Sequence, residues 1–330
     1  MQRSIGIIAN PASGKDIRRL VSYATVIDNN EKVNIVKRIV LAAQAVGINK
    51  IYIMPDTFLI SQNITHSLKG EGVLTADVET LDIYMDATAD DSTRAAEEME
   101  KLGVGCIVVL GGDGTSRAVA KGVTHTPIMP ISTGTNNVYP QMLEGTVAGM
   151  AAASVSLMPD GKTCCIRDKR IEIFVNGKLV DIALVDAVLT TDLYPGAKAV
   201  WDFTSLRFMV VSRCHPATIG FSAVAGCIRP IADTDDIGMI VFFGSGGKVV
   251  KAPIAAGMLE DIEIEKDHTI PLNEMVEFKI SKAGMLALDG EREVKVREGD
   301  TLGLCITRNG PWRVLPLVAV EQAMDNFFWR

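Results

Sequence analysis

The 330-residue sequence has six cysteines but no Cys-x-x-Cys pair and no Cys/His cluster at metal-ligand spacing. Cys106 lies inside an apolar run, and Cys164 and Cys165 are adjacent, an awkward arrangement for an ordinary disulfide. Reduced thiols are therefore expected. A basic excess is also missing. The 33 lysines and arginines are outnumbered by 40 aspartates and glutamates, giving a net charge of −7, which argues against nucleic acid or an anionic membrane as the main partner. Long hydrophobic runs are missing too: the longest uncharged segment, Gly122 to Leu143, holds three prolines and many Ser, Thr and Asn residues, unlike a membrane span. The start, Met1-Gln2-Arg3-Ser4 leading into Ile5-Gly6-Ile7-Ile8, lacks the apolar core and cleavage site of a signal peptide. No internal repeat, low-complexity tract or long linker is found. These absences lead us to expect a soluble, cytoplasmic protein.

What is present is the pattern of a globular chain, with 48% hydrophobic and 22% charged residues and length enough for two cores. The stretch Cys106 to Leu110 reads as a buried strand. It empties into Gly111-Gly112-Asp113-Gly114-Thr115, and Ser116 to Ala120 reads as the first turns of a helix. Glycines permit a sharp turn and close approach of a ligand, and a helix N-terminus suits phosphate. Asp113 then sits at the carboxyl end of a strand, where open α/β sheets place ligands.

Two further loops fit the same plan. Ile5–Ala9 is a short strand that breaks at Asn10-Pro11-Ala12-Ser13-Gly14-Lys15, a polar loop without Walker A spacing. A strand over Pro127–Ile131 empties into Ser132-Thr133-Gly134-Thr135-Asn136-Asn137, before a helix expected to run through Met142 and Met150. Each loop alone is compatible with an ordinary strand-to-helix turn or a capped helix start. Between them lie helices near Glu31–Val46, Phe58–Leu68 and Asp90–Leu102, and strands near Ile51–Met54 and Thr80–Met85. The alternation predicts an α/β N-terminal domain with a doubly wound, mainly parallel sheet over residues 1–157.

After Met158-Pro159-Asp160-Gly161 the pattern changes. Cys164–Val175 and Val180–Leu189 flank the hairpin signal Asn176-Gly177. Short runs at Ile237–Phe243, Val276–Ile280, Met285–Leu288, Glu293–Val296 and Leu302–Ile306 complete a β-rich, mainly antiparallel second domain, 158–315. Residues 316–330, with Val320, Ala323, Met324, Phe327 and Phe328 on one face, are expected to form a helix packed back on a domain surface. Leu288-Asp289-Gly290-Glu291 places two carboxylates around a turn. That turn is either a plain Asp-Gly hairpin or a site for Mg²⁺ or a hydroxyl nucleophile. His215, in the small-residue stretch His215-Pro216-Ala217-Thr218-Ile219-Gly220-Phe221-Ser222, is read either as a surface histidine or as a substrate contact.

Gly111–Thr115 resembles the Gly-Gly-Asp-Gly-Thr motif of the superfamily joining NAD kinases with diacylglycerol and sphingosine kinases. Asn10–Lys15 is similar to the Asn-Pro-x-Ser-Gly-Lys loop of its lipid-kinase branch, Gly134–Asn137 to the Gly-Thr-x-Asn loop, and Asp289–Glu291 to the Asp-Gly-Glu turn. Within the superfamily, Pro130–Val138 and Ala199-Val200-Trp201-Asp202 look like the acetoin-catabolism protein X branch, grouped with ATP–NAD kinases.

The resemblance implies a kinase using ATP and Mg²⁺ to phosphorylate an alcohol. Asn10, Ser13, Gly14, Lys15, Gly111, Gly112, Gly114, Thr115, Thr133, Gly134, Thr135 and Asn137 would then hold ATP. Asp113 and Glu291 would compete for the base, Asp289 would hold metal, and Asn136 and His215 would face the acceptor. NAD⁺ is the first acceptor this implies, with a lipid, a small polyol, or a non-catalytic nucleotide-binding regulator as alternatives. The family commonly forms homo-oligomers. Two departures stand out: only fragments of the NAD-kinase Thr-Pro-Thr-Gly-Ser-Thr-Ala-Tyr run survive at 215–222, and Val138 replaces the aspartate that follows Gly-Thr-x-Asn in lipid kinases.

Overall fold

The computed structural model describes residues 3–13, 27–134, 136–191 and 203–328. Gly14, Lys15, Thr135 and the stretch Ala199–Asp202 therefore lie outside the described residues.

Strand and helix alternate through β1 (Ser4–Ala9), α1 (Asn29–Val46), β2 (Lys50–Ile53), α2 (Ile60–Gly70), β3 (Asp77–Thr80), α3 (Asp90–Lys101), β4 (Ile107–Gly111), α4 (Asp113–Gly122), β5 (Ile128–Ser132) and α5 (Gly145–Leu157). The apolar runs of β1 and β4 are buried along their whole length, because helices cover both faces of the sheet. On one face α1 and α5 pack together, with Ile35, Val36, Ile39, Ala148 and Ala152 in one core. On the other, Ala95, Met99, Val119 and Ala120 of α3 and α4 meet Ile8, Ile107 and Val109. α1 starts where Asp28 accepts from the amide of Glu31, and ends where Gly47 takes φ 124.

The chain then runs through β6 (Cys165–Arg167), β7 (Arg170–Val175), β8 (Lys178–Ala183), β9 (Asp186–Thr190), β10 (Leu206–Val211), α6 (Phe221–Ile228), β11 (Ile237–Ala255), β12 (Met258–Pro271), β13 (Met275–Lys279), β14 (Gly284–Leu288), β15 (Glu291–Val296), β16 (Thr301–Thr307), β17 (Trp312–Val314) and α7 (Pro316–Gln322). The first sheet has the order β3-β2-β1-β4-β5-β17-β6, parallel except for the β17–β6 pair. Two three-residue strands from beyond residue 157 thus belong to it, and the chain leaves this sheet only after β6 and returns to it at β17. The second half forms two antiparallel sheets, β12-β11-β10-β9-β14-β15 and β13-β16-β7-β8, whose facing sides share a core of Ile171, Ile173, Leu286, Leu302 and Leu304. The fold class is therefore as expected, an α/β domain with a mainly parallel sheet followed by a β-rich antiparallel part.

Several element bounds differ from expectation. β3 ends at Thr80, where a strand Thr80–Met85 was expected, and the bond from Leu81 N to Ile53 O is its last. The helix expected to run through Met142 begins only at Gly145, behind the cap Glu144. α7 packs on α5 through Ala319, with Ala323 just beyond it also buried, while Met324 is exposed.

The segment between β6 and β7 also buries a lysine. Lys169 donates to the carbonyls of Ala232 (2.9 Å) and Ile237 (2.8 Å) and is fully buried. Burial, with Arg213 and Arg308 nearby, pushes its pKa down to about 8 against the pull of Asp235 and Asp233. The folded chain gives up this proton more readily than the unfolded one. The lysine's contribution to stability therefore rises with pH from about 8 to about 10.5, by about 1 kcal/mol per pH unit. Urea titrations across that window are expected to show this rise in the parent chain and a flatter profile in Lys169→Met.

Candidate active site

The parallel strands order themselves so that crossovers leave β1 and β4 in opposite directions, and a crevice opens at the carboxyl ends of these two strands. Three loops enter it. After β1, Asn10 donates through Nδ2 to Thr115 Oγ1 (3.1 Å) and accepts from the amide of Ala12 (2.8 Å). Ser13 Oγ donates to Asn10 O (2.8 Å) and lies 3.1 Å from Thr133 Oγ1. After β5, Asn137 Nδ2 donates to Ser132 Oγ (2.8 Å) and to Gly134 O (3.3 Å). After β4, Gly112 caps α4 without a side chain, leaving the helix N-terminus facing the crevice.

The glycines mark where the loops touch. A Cβ on Gly112 would lie 2.8 Å from Asn137 Oδ1, and one on Gly114 would run into the Glu291 carboxylate. Residues far apart in sequence are thus brought onto one helix end. Asp113, at the start of α4, turns its carboxylate to the third loop: Oδ1 accepts from the amides of Tyr139 (2.8 Å) and Val138 (3.1 Å), and Oδ2 also lies 3.1 Å from the latter.

The second half supplies the opposite wall. Asp289 and Gly290, at φ 50 and φ 82, form the tight turn between β14 and β15. Asp289 is buried, and its carboxylate accepts from the amides of Leu184 (2.8 Å), Val185 (2.7 Å) and Asp186 (3.1 Å). Burial raises its pKa against the pull of Arg117 and these amides. The expected metal ligand therefore fastens the turn to the start of β9, with both oxygens on backbone. Glu291 differs: its side chain is half exposed at the α4 N-terminus, within 3.4 Å of Arg117. Among the described residues no group of three or more acidic, His or Cys side chains is arranged to hold a metal.

Around these groups lies a cleft of about 760 Å³. Asn10, Ser13, Gly112, Asp113, Gly114, Thr115, Asn136, Asn137, Asp289 and Glu291 all line it. Gly111 and Thr133, buried behind those loops, shape it: Thr133 N donates to Gly111 O at 3.2 Å. His215 is not brought there. It is exposed, and its Nδ1 accepts from the amide of Ala217 (3.0 Å), which holds a turn; the end of its stretch, Ile219 to Ser222, does reach the cleft.

Two important cations carried no signal in the sequence. Lys32, on the first turn of α1 and fully buried, donates to Asn10 O (2.9 Å), Ser13 O (2.8 Å) and Asn29 Oδ1 (3.1 Å), stitching the first loop shut. Arg117, one turn after Asp113, reaches Asp181, Asp289 and Glu291. The wing of the cleft formed by Asp56, Thr88, Ser92 and Ile254, beside Phe221, was likewise unmarked.

The fold joins an ATP-NAD kinase-type N-terminal half, with its Gly-Gly-Asp-Gly-Thr loop at a β-strand end, to an antiparallel second half. Residues 5–156 match the ATP-NAD kinase N-terminal domain, and residues 169–309 match the acetoin catabolism protein X C-terminal domain. The chain is 35% identical over 303 residues to Acetoin catabolism protein X of Cupriavidus necator, covering 88% of this chain and 84% of that protein, and it belongs to that family. It is also 22% identical over 233 residues to an NAD kinase of Picrophilus torridus, covering 69% of this chain and 80% of that protein. In structure it resembles yeast NADH kinase complexed with NADH, with TM-score 0.53 at 12% identity, covering 99% of this chain and 89% of that one; that likeness speaks for the fold.

Proposed function

We propose that the chain is a cytoplasmic, ATP- and Mg²⁺-dependent kinase that phosphorylates an alcohol hydroxyl, with NAD⁺ as the first acceptor to test. The observation that carries this reading is the convergence of three strand-end loops and the Asp289–Glu291 turn on the N-terminus of α4. Phosphoryl transfer requires chiefly positioning and charge compensation, and such a helix end provides amides and a favourable dipole for phosphate. Asn10, Ser13 and Thr115 would orient the donor, with Asn136 and Asn137 beside them. Asp113 is held by two amides close to where a reacting phosphate would lie, and Glu291 reaches the same point from the other wall.

Mg²⁺ fits this donor set in one way. The ion commonly uses one or two carboxylates plus substrate phosphates, and Glu291 is the carboxylate with accessible oxygens beside the α4 N-terminus. When bound, it would supply charge neutralisation at the phosphates. Supporting an acceptor other than NAD⁺, a lipid or a small polyol, is the apolar wing of the cleft at Met54, Met85, Phe221 and Ile254.

ADP release from Mg-ATP, measured with NAD⁺, NADH, diacylglycerol and small polyols, tests the reading. NAD⁺ is expected to raise release. A response to a polyol or lipid alone would replace the acceptor, and ATP binding with no response to any acceptor would favour a nucleotide-binding regulator.

A further inference from the structure

We propose that Tyr139 is a positioning residue that ties the hinge between the two halves of the molecule to Asp113. The inference rests on the reading of Asp113 as the carboxylate beside the reacting phosphate.

The hinge is defined by where the chain passes between sheets. Among the described residues it leaves the first sheet between β6 and β7, at Asp168 and Lys169, and returns between β16 and β17, at Arg308 to Pro311. The two passages run side by side. Asp168 N donates to Pro311 O (3.0 Å) and Gly310 N donates to Asp168 O (3.1 Å), and a Cβ on Gly310 would lie 2.6 Å from that carbonyl.

The Asp168 side chain gathers the surrounding elements. It accepts from Arg313 Nε of β17 (2.7 Å) and a second nitrogen of Arg313 (3.2 Å), from Arg213 just beyond β10 (3.0 Å), and from the Tyr139 hydroxyl (2.7 Å). Arg313 also pairs with Asp233. The two guanidinium carbons lie 5.0 and 5.9 Å from the centre of the Tyr139 ring. Tyr139 is 2% exposed and Asp168 is fully buried. Burial raises the tyrosine well above its ordinary range, so it remains a donor. Burial would raise Asp168 too, but Arg213 and Arg313 outweigh it and hold the carboxyl below its usual value, so it remains an acceptor.

Both ends of Tyr139 are thus committed. Its hydroxyl is bonded to the hinge, and its backbone N–H, next to that of Val138, is bonded to Asp113. A hinge movement that left Tyr139 behind would strand a buried hydroxyl from a buried carboxylate, an expensive separation. A movement that carried Tyr139 along would draw the two amides from Asp113. The hinge setting and the Asp113 placement are therefore one state. Ring packing alone would be served equally by phenylalanine, so the hydroxyl is the discriminating group.

Tyr139→Phe, followed by hydrogen–deuterium exchange, tests this in the full chain. Amide exchange at positions 138 and 139 is expected to accelerate about tenfold or more, with β4 and α3 unchanged. In the acceptor assay kcat is expected to fall about tenfold while the KM for ATP holds within about twofold. Asp168→Asn, which weakens the same bond from the other end, is expected to accelerate the same amides and keeps the test open should Tyr139→Phe fail to fold. Exchange at 138 and 139 that matches the parent protein in both variants overturns the proposal. Accelerated exchange with an unchanged kcat also overturns it, because the hydroxyl would then serve structure alone. If the parent shows no turnover with any acceptor, the kinase reading fails by itself, and the exchange result still decides whether hinge and loop are linked.

Discussion

Replacing Arg117 with methionine is expected to destabilise the protein by about 3 kcal/mol, the typical loss when one partner of a buried ion pair is removed. Arg117 is 2% exposed and faces three carboxylates of the second half: Asp181 at 3.3 Å, Glu291 at 3.4 Å and Asp289 at 3.9 Å. Asp181 keeps Lys121 at 2.8 Å, and Asp289 keeps its three amides, which limits the loss. Methionine fills much of the same volume, so the effect reports on charge rather than on a cavity. The cost is expected to show as a lower urea midpoint, with Arg117→Lys falling between the two. A lysine keeps the charge but lacks the fork that spans Asp181 and Glu291 together. A change below about 1 kcal/mol in Arg117→Met would show that the carboxylates find solvent compensation and that Arg117 does not hold the two walls together.

Arg117 also shows where sequence reading reaches its limit. The Gly111–Thr115 loop could be read directly, because a wholly buried apolar strand followed by glycines and a helix is a local pattern. The hairpins at Asn176-Gly177 and Asp289-Gly290 were legible for the same reason, since their positive φ values demand such residues. β3 was misplaced because it is an edge strand with exposed side chains at Asp77, Glu79 and Thr80, while the alternating Leu81 and Ile83 beyond it looked more strand-like. The segment Val138–Leu143 looked helical, but its amides are engaged elsewhere: those of Val138 and Tyr139 by Asp113, while Gln141 lends its carbonyl to Ser132. β6 and β17, at three residues each, are too short for any periodicity. β11 was expected to stop at Phe243 yet continues to Ala255, through a glycine-rich irregularity that bends the strand without ending it. At the site, the cradle glycines were visible, whereas Lys32, Arg117 and Tyr139 act through contacts that only the closed fold creates.

Asp113→Asn is expected to lower kcat by about 10²–10⁴-fold, the usual contribution of a positioned carboxylate in proton transfer, while leaving the fold intact. Asparagine has the same shape and retains an oxygen for the amides of Val138 and Tyr139, so the third loop should keep its place. Nucleotide affinity separates a chemical role from a structural one. The Asp113 charge lies at the N-terminus of α4, where phosphate would also be attracted, so removing it relieves repulsion of a polyanion. ATP binding measured by calorimetry is therefore expected to be equal or tighter in Asp113→Asn, although turnover falls. A disordered loop would instead weaken binding and turnover together. Turnover equal to the parent would remove Asp113 from the chemistry and leave Glu291, half exposed on the opposite wall, as the remaining carboxylate for the base. Glu291→Gln then completes the comparison: a fall in kcat that added Mg²⁺ restores marks Glu291 as the metal-side carboxylate, whereas a fall that persists at saturating Mg²⁺ and unchanged nucleotide affinity marks it as the group that handles the proton.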